Sequence, residues 1–317
     1  MSRRVLVLGA GGFVGRSLVE HVVRHGGVEL ILHYRDISER LSIAMNLESH
    51  ILNVLTCPNG ALTRMIDLTS PDVVVNCIGL TAGSADELRA ANVDVVMRLI
   101  DAVEGRPDVH LVHLGSAAEY GVQRVRCPVS ERVFAMPCSA YGRSKLEATE
   151  RLLLAAARHR ISVTVLRLFN PVGRLSPPST LPGNAARKID EALRSNSNAI
   201  TLGPLDSWRD FVDTRDIARA VLAVAEVMPP SGLVLNVGRG EAVHSRDLVR
   251  ALAAIAGYHG DIVASDGMSA RSAPVDWQCA DIEAIGRTLG WSAEYSIETS
   301  LADLWSEVVK SREYADG

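Results

Sequence analysis

The sequence predicts an α/β protein in which a doubly wound parallel sheet is accompanied by a smaller mixed α/β lobe towards the C-terminus. Short runs of consecutive apolar residues alternate with stretches in which apolar residues recur at helical spacing. A cluster of glycines lies directly after the first apolar run. With 317 residues, the chain is long enough to bury more than one hydrophobic core. This alternation is typical of parallel sheets whose two faces are covered by helices.

The first apolar run, Val5 to Leu8, predicts a strand that is buried on both faces. Val14, Leu18 and Val22 follow at the spacing of one helix face, so the opening segment is a strand, a turn and a helix. Further apolar runs predict strands at residues 28–32, 73–77, 109–114 and 161–168, and helix-compatible stretches occupy residues 85–104 and 141–158.

The turn after the first strand reads Gly9-Ala-Gly-Gly-Phe-Val-Gly15. Because glycine has no Cβ, such a backbone can approach a pyrophosphate closely, and the helix N-terminus adds N–H groups and a positive dipole. A tight turn without a ligand is the alternative, but the position between strand and helix favours a Rossmann-type dinucleotide site. The residues assigned to the cofactor here are Gly9, Gly11, Gly12, Phe13, Val14 and Gly15.

The second strand ends in His33-Tyr34-Arg35-Asp36, where the adenosine ribose of a dinucleotide would lie. Alignment of the strand ends puts His33 or Arg35 at that point. Arg35 can pair with a 2′-phosphate through two hydrogen bonds, which favours NADP, whereas Asp36 turned inwards would favour NAD. We assign Tyr34 and Arg35 to the cofactor, with NADP as the expected cofactor and NAD as the alternative. An exposed pair of Arg35 and Asp36 without a ligand remains a further alternative.

A loop rich in proline and glycine begins at Asn170 and cannot continue the sheet. We read it as the entry to a second lobe, and the apolar run 233–237 as a return to the sheet edge. The predicted first domain, which binds NAD(P), is therefore 1–169 together with 210–237. The predicted substrate-binding lobe comprises 170–209 and 238–317.

Composition excludes several classes of partner. The formal net charge is −4 without a basic run, so no nucleic acid is expected. The five cysteines lie far apart without a CxxC pair, which argues against a metal site or a disulfide framework and suits the cytoplasm. No apolar run of membrane-spanning length occurs, so no membrane is expected either.

Tyr141 and Lys145 stand four residues apart and would share one face of a helix. A neighbouring ammonium favours the phenolate, which brings a tyrosine into the range of proton transfer at neutral pH. Ser116 follows the buried run 109–114 and would lie at the carboxyl end of the sheet, where open α/β sheets bind ligands. Its hydroxyl can stabilise a substrate oxygen, although a role as a strand cap is the alternative. We predict Ser116, Tyr141 and Lys145 as the catalytic set.

These pieces resemble the extended short-chain dehydrogenases that act on nucleotide sugars, such as UDP-galactose 4-epimerases and GDP-fucose synthases. The resemblance runs over nearly the whole chain. Its motifs are the glycine turn, Asn76-Cys-Ile-Gly79, Asn92, Ser116 to Gly121, Tyr141 with Lys145, Arg167-Leu-Phe-Asn170-Pro-Val-Gly, Arg209-Asp-Phe-Val and Asn236-Val-Gly.

The resemblance implies roles that the residues alone do not. It puts Gly79 and Asn92 at the cofactor, and Asn170, Arg209 and Arg271 at the nucleotide and phosphates of the substrate, besides Ser116. A helix-start role for Asn170 and surface ion pairs for the two arginines are the alternatives. It also implies a homodimer formed through the two helices at 85–104 and 141–158.

We therefore expect NADPH-dependent reduction of a nucleotide-linked 4-keto sugar, with the proton coming from Tyr141. An NAD-dependent 4-epimerase is the alternative, followed by a reductase of ketones or aldehydes without a nucleotide and by a non-catalytic NADP-binding sensor. Dehydratases of this type carry acidic residues directly after the catalytic hydroxyl residue, where this chain has Ala117 and Ala118. Glu119 would serve such a reaction only if the strand geometry broke at Ala118.

Overall fold

Seven parallel strands form the central sheet of the protein. The computed structural model describes residues 2–265 and 275–316. In chain order the strands are β1 (Arg4–Leu8), β2 (Glu29–Tyr34), β3 (Glu48–Ile51), β4 (Val73–Asn76), β5 (His110–Ser116), β6 (Ser162–Leu168), β7 (Pro171–Val172), β8 (Ala199–Leu202), β9 (Trp208–Asp210), β10 (Val212–Asp213), β11 (Leu233–Val237), β12 (Ala242–His244), β13 (Asp261–Ala264) and β14 (Trp277–Gln278). The central sheet has the order β11-β6-β5-β4-β1-β2-β3.

Helices connect these strands. They are α1 (Phe13–His25), α2 (Ala61–Thr69), α3 (Ala85–Arg89), α4 (Val95–Val103), α5 (Ala140–Ala157), α6 (Leu181–Ser195), α7 (Thr214–Val227), α8 (Ser245–Ile255), α9 (Glu283–Leu289) and α10 (Ile297–Asp316). A π-helical segment, Ala90–Asp94, joins α3 to α4, so the predicted helix at 85–104 is continuous but irregular.

The strand order confirms the predicted doubly wound sheet. The chain builds outwards from β1 through β2 to β3, then crosses to β4 and builds in the other direction. The reversal lies between β1 and β4, and ligands of open α/β sheets bind at the carboxyl ends of the strands at such a point. Leu8 and Asn76 pair at this end, directly before the glycine turn and the Cys77–Gly79 loop.

Both faces of the sheet are buried, which explains the continuous apolar runs. One core lies between the sheet and α1 and α7, and contains Val5, Leu18 and Val221. The other lies between the sheet and α2, α4 and α5, and contains Leu6 and Leu99. The alternation of Val5 and Leu6 between two cores follows from the two-residue period of a strand.

Strand β3 had no counterpart among the predicted apolar runs. Its sequence is Glu-Ser-His-Ile, and its burial pattern runs from exposed through half-buried to exposed. It pairs only along β2, at the edge of the central sheet. An edge strand needs no continuous apolar run, so nothing in the apolar pattern identified it.

The smaller lobe has its own hydrophobic core, formed by α6, α8 and α10 with residues such as Ile189, Leu252 and Leu301. Two small sheets accompany it, one with the order β12-β9-β14 and one that pairs β13 with β8. Strand β11 returns to the edge of the central sheet beside β6, as the run 233–237 predicted. Val212–Asp213 instead pairs with Pro171–Val172 in a separate ladder. The domain boundaries themselves stay a prediction.

Within residues 2–265 and 275–316, no helix combines the length and the apolar character that crossing a bilayer requires.

Candidate active site

His33 holds the glycine turn in place through two hydrogen bonds. The Gly9 N–H donates to His33 Nδ1 at 3.2 Å, and the Ala10 N–H donates to the His33 carbonyl oxygen at 3.0 Å. Gly9 has a φ of +77°, a left-handed conformation that favours glycine. The Gly12 N–H then closes the turn by donating to the Gly9 carbonyl oxygen at 3.1 Å. The turn is thus held in one conformation before any ligand arrives.

The missing side chains leave room that a Cβ would fill. A Cβ at Gly15 would overlap the Gly9 carbonyl oxygen, so only glycine lets α1 pack against its own turn. Phe13 and Val14 form the first turn of α1, which carries no acidic residue. A helix N-terminus with free N–H groups and no carboxylate suits an anion. The predicted cofactor residues therefore form a cradle that fits a dinucleotide pyrophosphate.

Two residues at the end of β2 are structural, which corrects part of the sequence prediction. His33 is only 1% exposed, and its Nε2 donates to the Leu52 carbonyl oxygen at 2.6 Å. Burial lowers its pKa, so it is a neutral acceptor for Gly9 and does not face a ribose. Tyr34 is also 1% exposed, with its side chain in the core and its hydroxyl accepting from the Leu41 N–H. The assignment of Tyr34 to the cofactor stays a prediction, and the burial of its side chain and the bond of its hydroxyl to Leu41 leave that side chain a structural role.

Arg35, by contrast, points into solvent. Its side chain is 68% exposed and pairs with Glu39, not with Asp36. The Asp36 carboxylate caps the short 3₁₀ helix Ile37–Glu39 by accepting from the N–H and the hydroxyl of Ser38. These hydrogen bonds lower the pKa of Asp36. Arg35 and Asp36 are both exposed, as the alternative without a ligand expected, but their side chains bond to Glu39 and Ser38 and not to each other.

The loop after β4 is held by Asn92. Its Oδ1 accepts from the Leu80 N–H at 3.0 Å, and its amide nitrogen donates to the Leu80 carbonyl oxygen and to the Ser144 hydroxyl at 2.9 Å each. Asn92 is 1% exposed, and a Cβ at Gly79 would lie 3.0 Å from its Oδ1. With its amide engaged, Asn92 ties the Gly79 loop to α5. The geometry gives it a positioning role, whereas Gly79 itself is exposed at the strand ends.

Ser116 ends β5 at the edge predicted from the sequence. It is 8% exposed, and its hydroxyl accepts from the Ala118 N–H at 3.2 Å, which makes it the N-cap of the 3₁₀ helix Ala117–Glu119. The capping role that we held as the alternative is therefore present. A serine hydroxyl that accepts from one N–H still has its proton to donate.

Tyr141 and Lys145 lie on the first turns of α5, as the four-residue spacing predicted. Ser139 caps this helix by accepting from the Gly142 N–H at 3.0 Å. A Cβ at Gly142 would lie 2.5 Å from the Ala118 carbonyl oxygen, so glycine lets the start of α5 pack closely against the turn that follows Ser116. The predicted catalytic residues are thereby brought to one edge of the sheet. The sequence analysis overlooked Gly142, although it lies inside the Tyr141–Lys145 motif.

Lys145 is 6% exposed, and its Nζ donates to the Leu114 carbonyl oxygen at 2.5 Å. Burial lowers its pKa to about 8, while Glu119 and Cys77 act in the opposite direction. Because Leu114 lies two residues before Ser116, this hydrogen bond ties the tyrosine-bearing helix to the serine-bearing strand. Tyr141 lies one helical turn before Lys145 on α5, and a nearby ammonium favours the phenolate form of a tyrosine.

Glu119 does not face the space beside Ser116, and the dehydratase alternative fails on this point. It is fully buried, accepts from the Ser116 N–H at 2.8 Å and forms a salt bridge of 2.8 Å with Arg167. A Cβ at Gly115 would lie 2.8 Å from Glu119 Oε1, so the absence of a side chain at Gly115 leaves space for the Glu119 carboxylate. Burial raises the pKa of Glu119, and Arg167 opposes this shift. Both carboxylate oxygens of Glu119 therefore accept hydrogen bonds from within the protein, one from Ser116 and one from Arg167.

Further buried polar groups extend from this pair. The Arg167 guanidinium lies 4.6 Å from the centre of the Tyr120 ring, and the Tyr120 hydroxyl donates to Asn236 Oδ1 at 2.7 Å. The Asn236 amide in turn donates to the carbonyl oxygen of Val129 at 2.8 Å. Strands β5, β6 and β11 are thus joined beneath the site. Tyr120, Arg167 and Asn236 belong to three of the motifs identified in the sequence, but their contacts with one another were not predicted.

On the side of the smaller lobe, Asn170 precedes β7 with a φ of +32°. Its amide donates to the Asp210 carbonyl oxygen at 2.8 Å. The helix-start alternative for Asn170 is therefore wrong. Arg209 is 8% exposed and donates to the carbonyl oxygens of Trp208 and Val275, so it is not the surface ion pair that we held as its alternative. Arg271 lies outside the described residues.

Arg209 and Asp210 are both buried on β9. Burial lowers the pKa of Arg209 to about 10 and raises the pKa of Asp210 to about 6. Asp210 accepts from the N–H groups of Arg239, Gly240 and Ala280, and so fixes two loops of the smaller lobe. Arg209 donates to carbonyls instead; among the side chains that the structure describes it forms no salt bridge, although Asp276 lies close enough to favour its charged form. A buried cation of this kind has capacity for an anionic ligand.

Comparison with known proteins gives consistent matches over this architecture. Residues 5–238 match the model of the NAD dependent epimerase/dehydratase family. The chain is 35% identical, over 96% of its length and 95% of the relative, to a dTDP-6-deoxy-L-talose 4-dehydrogenase (NAD(P)(+)) of Kitasatospora kifunensis. It is 26% identical to a GDP-6-deoxy-D-mannose reductase of Pseudomonas aeruginosa, over 97% of each chain.

Two solved structures have the same fold. MoeE5 in complex with UDP-glucuronic acid and NAD superposes with a TM-score of 0.84 at 26% identity, covering 97% of this chain and 99% of that one. RMD of Pseudomonas aeruginosa complexed with NADPH superposes with a TM-score of 0.80 at 24% identity, covering 96% and 99%.

Proposed function

The chain belongs to the NAD dependent epimerase/dehydratase family of extended short-chain dehydrogenases, and from this premise we propose that it is an NADPH-dependent reductase of a nucleotide-linked 4-keto deoxysugar. It is an NAD(P)-dependent enzyme that acts on nucleotide sugars as its relatives do. The observation that carries the proposed chemistry is the shared edge of Ser116 and the α5 pair, where Lys145 is buried and bonded to β5, and the choice of a reductase rests on the relatives.

In the proposed reaction, a dinucleotide held at the glycine turn Gly9 to Gly15 would supply a hydride to C4 of the sugar. The Tyr141 hydroxyl gives its proton to the C4 oxygen, so the ketone becomes a secondary alcohol and the phenolate remains. Lys145 stabilises that phenolate through its ammonium, which lies on the same helix face. The Ser116 hydroxyl donates a hydrogen bond to the same substrate oxygen and so stabilises the negative charge that develops on it.

The burial of Arg209 supports a nucleotide diphosphate as the part of the substrate that the smaller lobe binds. Its guanidinium is buried, and burial lowers its pKa to about 10, so an anion brought beside it would relieve an electrostatic cost. Asn170 lies against the same strand through its bond to the Asp210 carbonyl oxygen. We propose that Arg209 and Asn170 bind the diphosphate region together, with Arg271 as a further candidate.

The relatives favour the reductase over the epimerase alternative. Two relatives that match over nearly their whole length, at 35% and 26% identity, are named for oxidation or reduction of a 6-deoxysugar, one of them with NAD(P)(+). Epimerases of UDP-glucose and of dTDP-L-rhamnose match over similar shares of their length, at 22–25% identity. An epimerase uses the same residues but returns the hydride to the sugar, so cofactor stoichiometry separates the two reactions.

The test is an assay with dTDP-6-deoxy-L-talose or GDP-6-deoxy-D-mannose, run with NAD⁺ and NADP⁺ separately, while reduced cofactor is followed by fluorescence. A dehydrogenase forms one reduced cofactor for each 4-keto sugar. Stereochemical inversion at C4 without net cofactor reduction would identify an epimerase instead. Turnover of a simple ketone with NADPH, without turnover of either nucleotide sugar, would indicate the substrate class without a nucleotide.

The proposal also includes an oligomeric state and a cellular location. We propose a homodimer through the faces of α4 and α5, where Met97 and Leu154 are exposed apolar residues. A monomer mass in light scattering would exclude it. All five cysteines are unpaired, which supports a cytoplasmic location.

A further inference from the structure

Arg35 and Glu39 form an ion pair beside the glycine turn. One oxygen of Glu39 accepts from the Arg35 guanidinium at 2.6 Å, and the other accepts from the Arg35 backbone N–H at 3.2 Å. The Arg35 side chain is 68% exposed, whereas that of Glu39 is 27% exposed. The carboxylate is therefore the better fixed partner, and it already engages a nitrogen that a 2′-phosphate would use.

The position of Glu39 relative to the turn is fixed by packing. A Cβ built at Gly11 would lie 2.8 Å from the Glu39 carbonyl oxygen and 2.9 Å from its Cβ. Glycine at position 11 thus allows the 3₁₀ helix Ile37–Glu39 to approach the turn closely. A dinucleotide that binds along this turn must place its adenosine ribose near Arg35 and Glu39.

Asp36, the acidic residue next to Arg35 in sequence, does not have the same role as Glu39. Asp36 points its Oδ1 at the N–H of Ser38, at 2.9 Å, and at the hydroxyl of Ser38, at 2.8 Å. These two bonds occupy it in the cap of the 3₁₀ helix. Glu39 is thus the carboxylate that faces Arg35, although Asp36 is closer to it in sequence.

We propose that Glu39 is a determinant of cofactor choice, which competes with the 2′-phosphate of NADP for Arg35 and so makes NAD an accepted cofactor beside NADP. This inference rests on the proposed function and specifies its cofactor site. With NAD, the ion pair stays intact and the carboxylate can accept a hydrogen bond from a ribose hydroxyl. With NADP, the phosphate takes over Arg35 and the carboxylate becomes a nearby like charge, which weakens NADP relative to NAD.

The test is calorimetric binding of NAD⁺ and NADP⁺ to the wild-type chain, Glu39→Gln, Arg35→Ala and the double variant. Glutamine keeps the shape and hydrogen-bonding oxygen of glutamate but removes its charge. We expect Glu39→Gln to raise the ratio of NADP affinity to NAD affinity about three- to tenfold, the scale of an exposed ion pair with an added repulsion. In the Arg35→Ala background the same substitution should change this ratio much less, because the residue for which carboxylate and phosphate compete is gone.

The matched control is Glu191→Gln, which removes the carboxylate of another exposed pair at the same spacing, with Arg187 on α6. It should leave both affinities unchanged. An unchanged ratio in Glu39→Gln, or an equal rise with and without Arg35, would overturn this inference while NADP binding by the wild-type chain leaves the proposed function standing. A wild-type chain that binds neither dinucleotide would overturn both.

Discussion

The two edges that a dinucleotide would bridge are built in opposite ways. At the end of β5, the ion pair of Glu119 and Arg167 is almost completely buried, and Lys145 lies beside it at 6% exposure. At the end of β2, the ion pair of Arg35 and Glu39 is largely exposed. Breaking a buried ion pair is costly because it leaves a charge uncompensated, whereas exposed pairs contribute little and rearrange easily. The edge at which we propose the chemistry is therefore held by a pair that is costly to break, and the edge at which we propose cofactor selection is held by a pair that is not.

The largest effect is expected at the rigid edge. Tyr141→Phe removes the proton donor while keeping the ring, so kcat should fall about 10²- to 10⁴-fold, the range typical of a general acid. Calorimetry should show cofactor affinity within about threefold of wild type, since the hydroxyl is one contact among many. Wild-type turnover by this variant would remove Tyr141 from the chemistry.

The buried and exposed ion pairs should differ sharply in stability. Glu119→Gln leaves the Arg167 guanidinium buried without its counter-charge, so the free energy of unfolding should fall by about 3–5 kcal/mol. The amide oxygen of glutamine can still accept from the Ser116 N–H, so the loss reports the charge pair. Urea denaturation measures it, with Glu147→Gln in the exposed pair with Arg89 as the control.

In the same denaturation series, Glu39→Gln should change the free energy of unfolding by less than about 1 kcal/mol, because its partner Arg35 is mostly solvated. A loss as large as that of Glu119→Gln would contradict the contrast between the two edges.

Activity should also report the burial of Lys145. Burial lowers the pKa of its ammonium to about 8, so the charged fraction falls as the pH rises through that value. Ketone reduction should therefore decline on the alkaline side, to about a tenth of its plateau one pH unit above the midpoint. The residual activity of Lys145→Arg should lack this decline, because a guanidinium stays protonated. A decline of equal midpoint in both proteins would assign it to another group.

Sequence reasoning succeeded where the signal is local in the chain. The glycine turn and the four-residue spacing of Tyr141 and Lys145 each lie within one strand–turn–helix segment or one helix, and the fold and family inferred from them are confirmed. Whether these residues have the predicted catalytic and cofactor roles stays a prediction.

What sequence reasoning missed depends on contacts between distant segments. Strand-end alignment left His33 or Arg35 as the residue facing a ribose, but the partners of His33 are Gly9 and Leu52, on two other segments. The structural role of Glu119 depends on its salt bridge with Arg167, which is 48 residues away. The role of Asn92 depends on its hydrogen bonds with Leu80 and Ser144. Pairings across the sheet follow from topology and packing, so no periodicity or spacing along one segment reveals them.

The π-helical segment Ala90–Asp94 has a consequence for how this chain tolerates change in length. A π turn holds one more residue than an α turn, and each residue advances a helix by about 100°. Loss of one residue here would let the helix become regular while Val95 and Leu99 still face the core that they share with the sheet, because the wider turn absorbs its extra residue without rotating α4. The residue would be lost from the turn that carries Asn92, so a deletion in this helix endangers the hydrogen bonds of Asn92 to Leu80 and Ser144 more than the apolar face of α4.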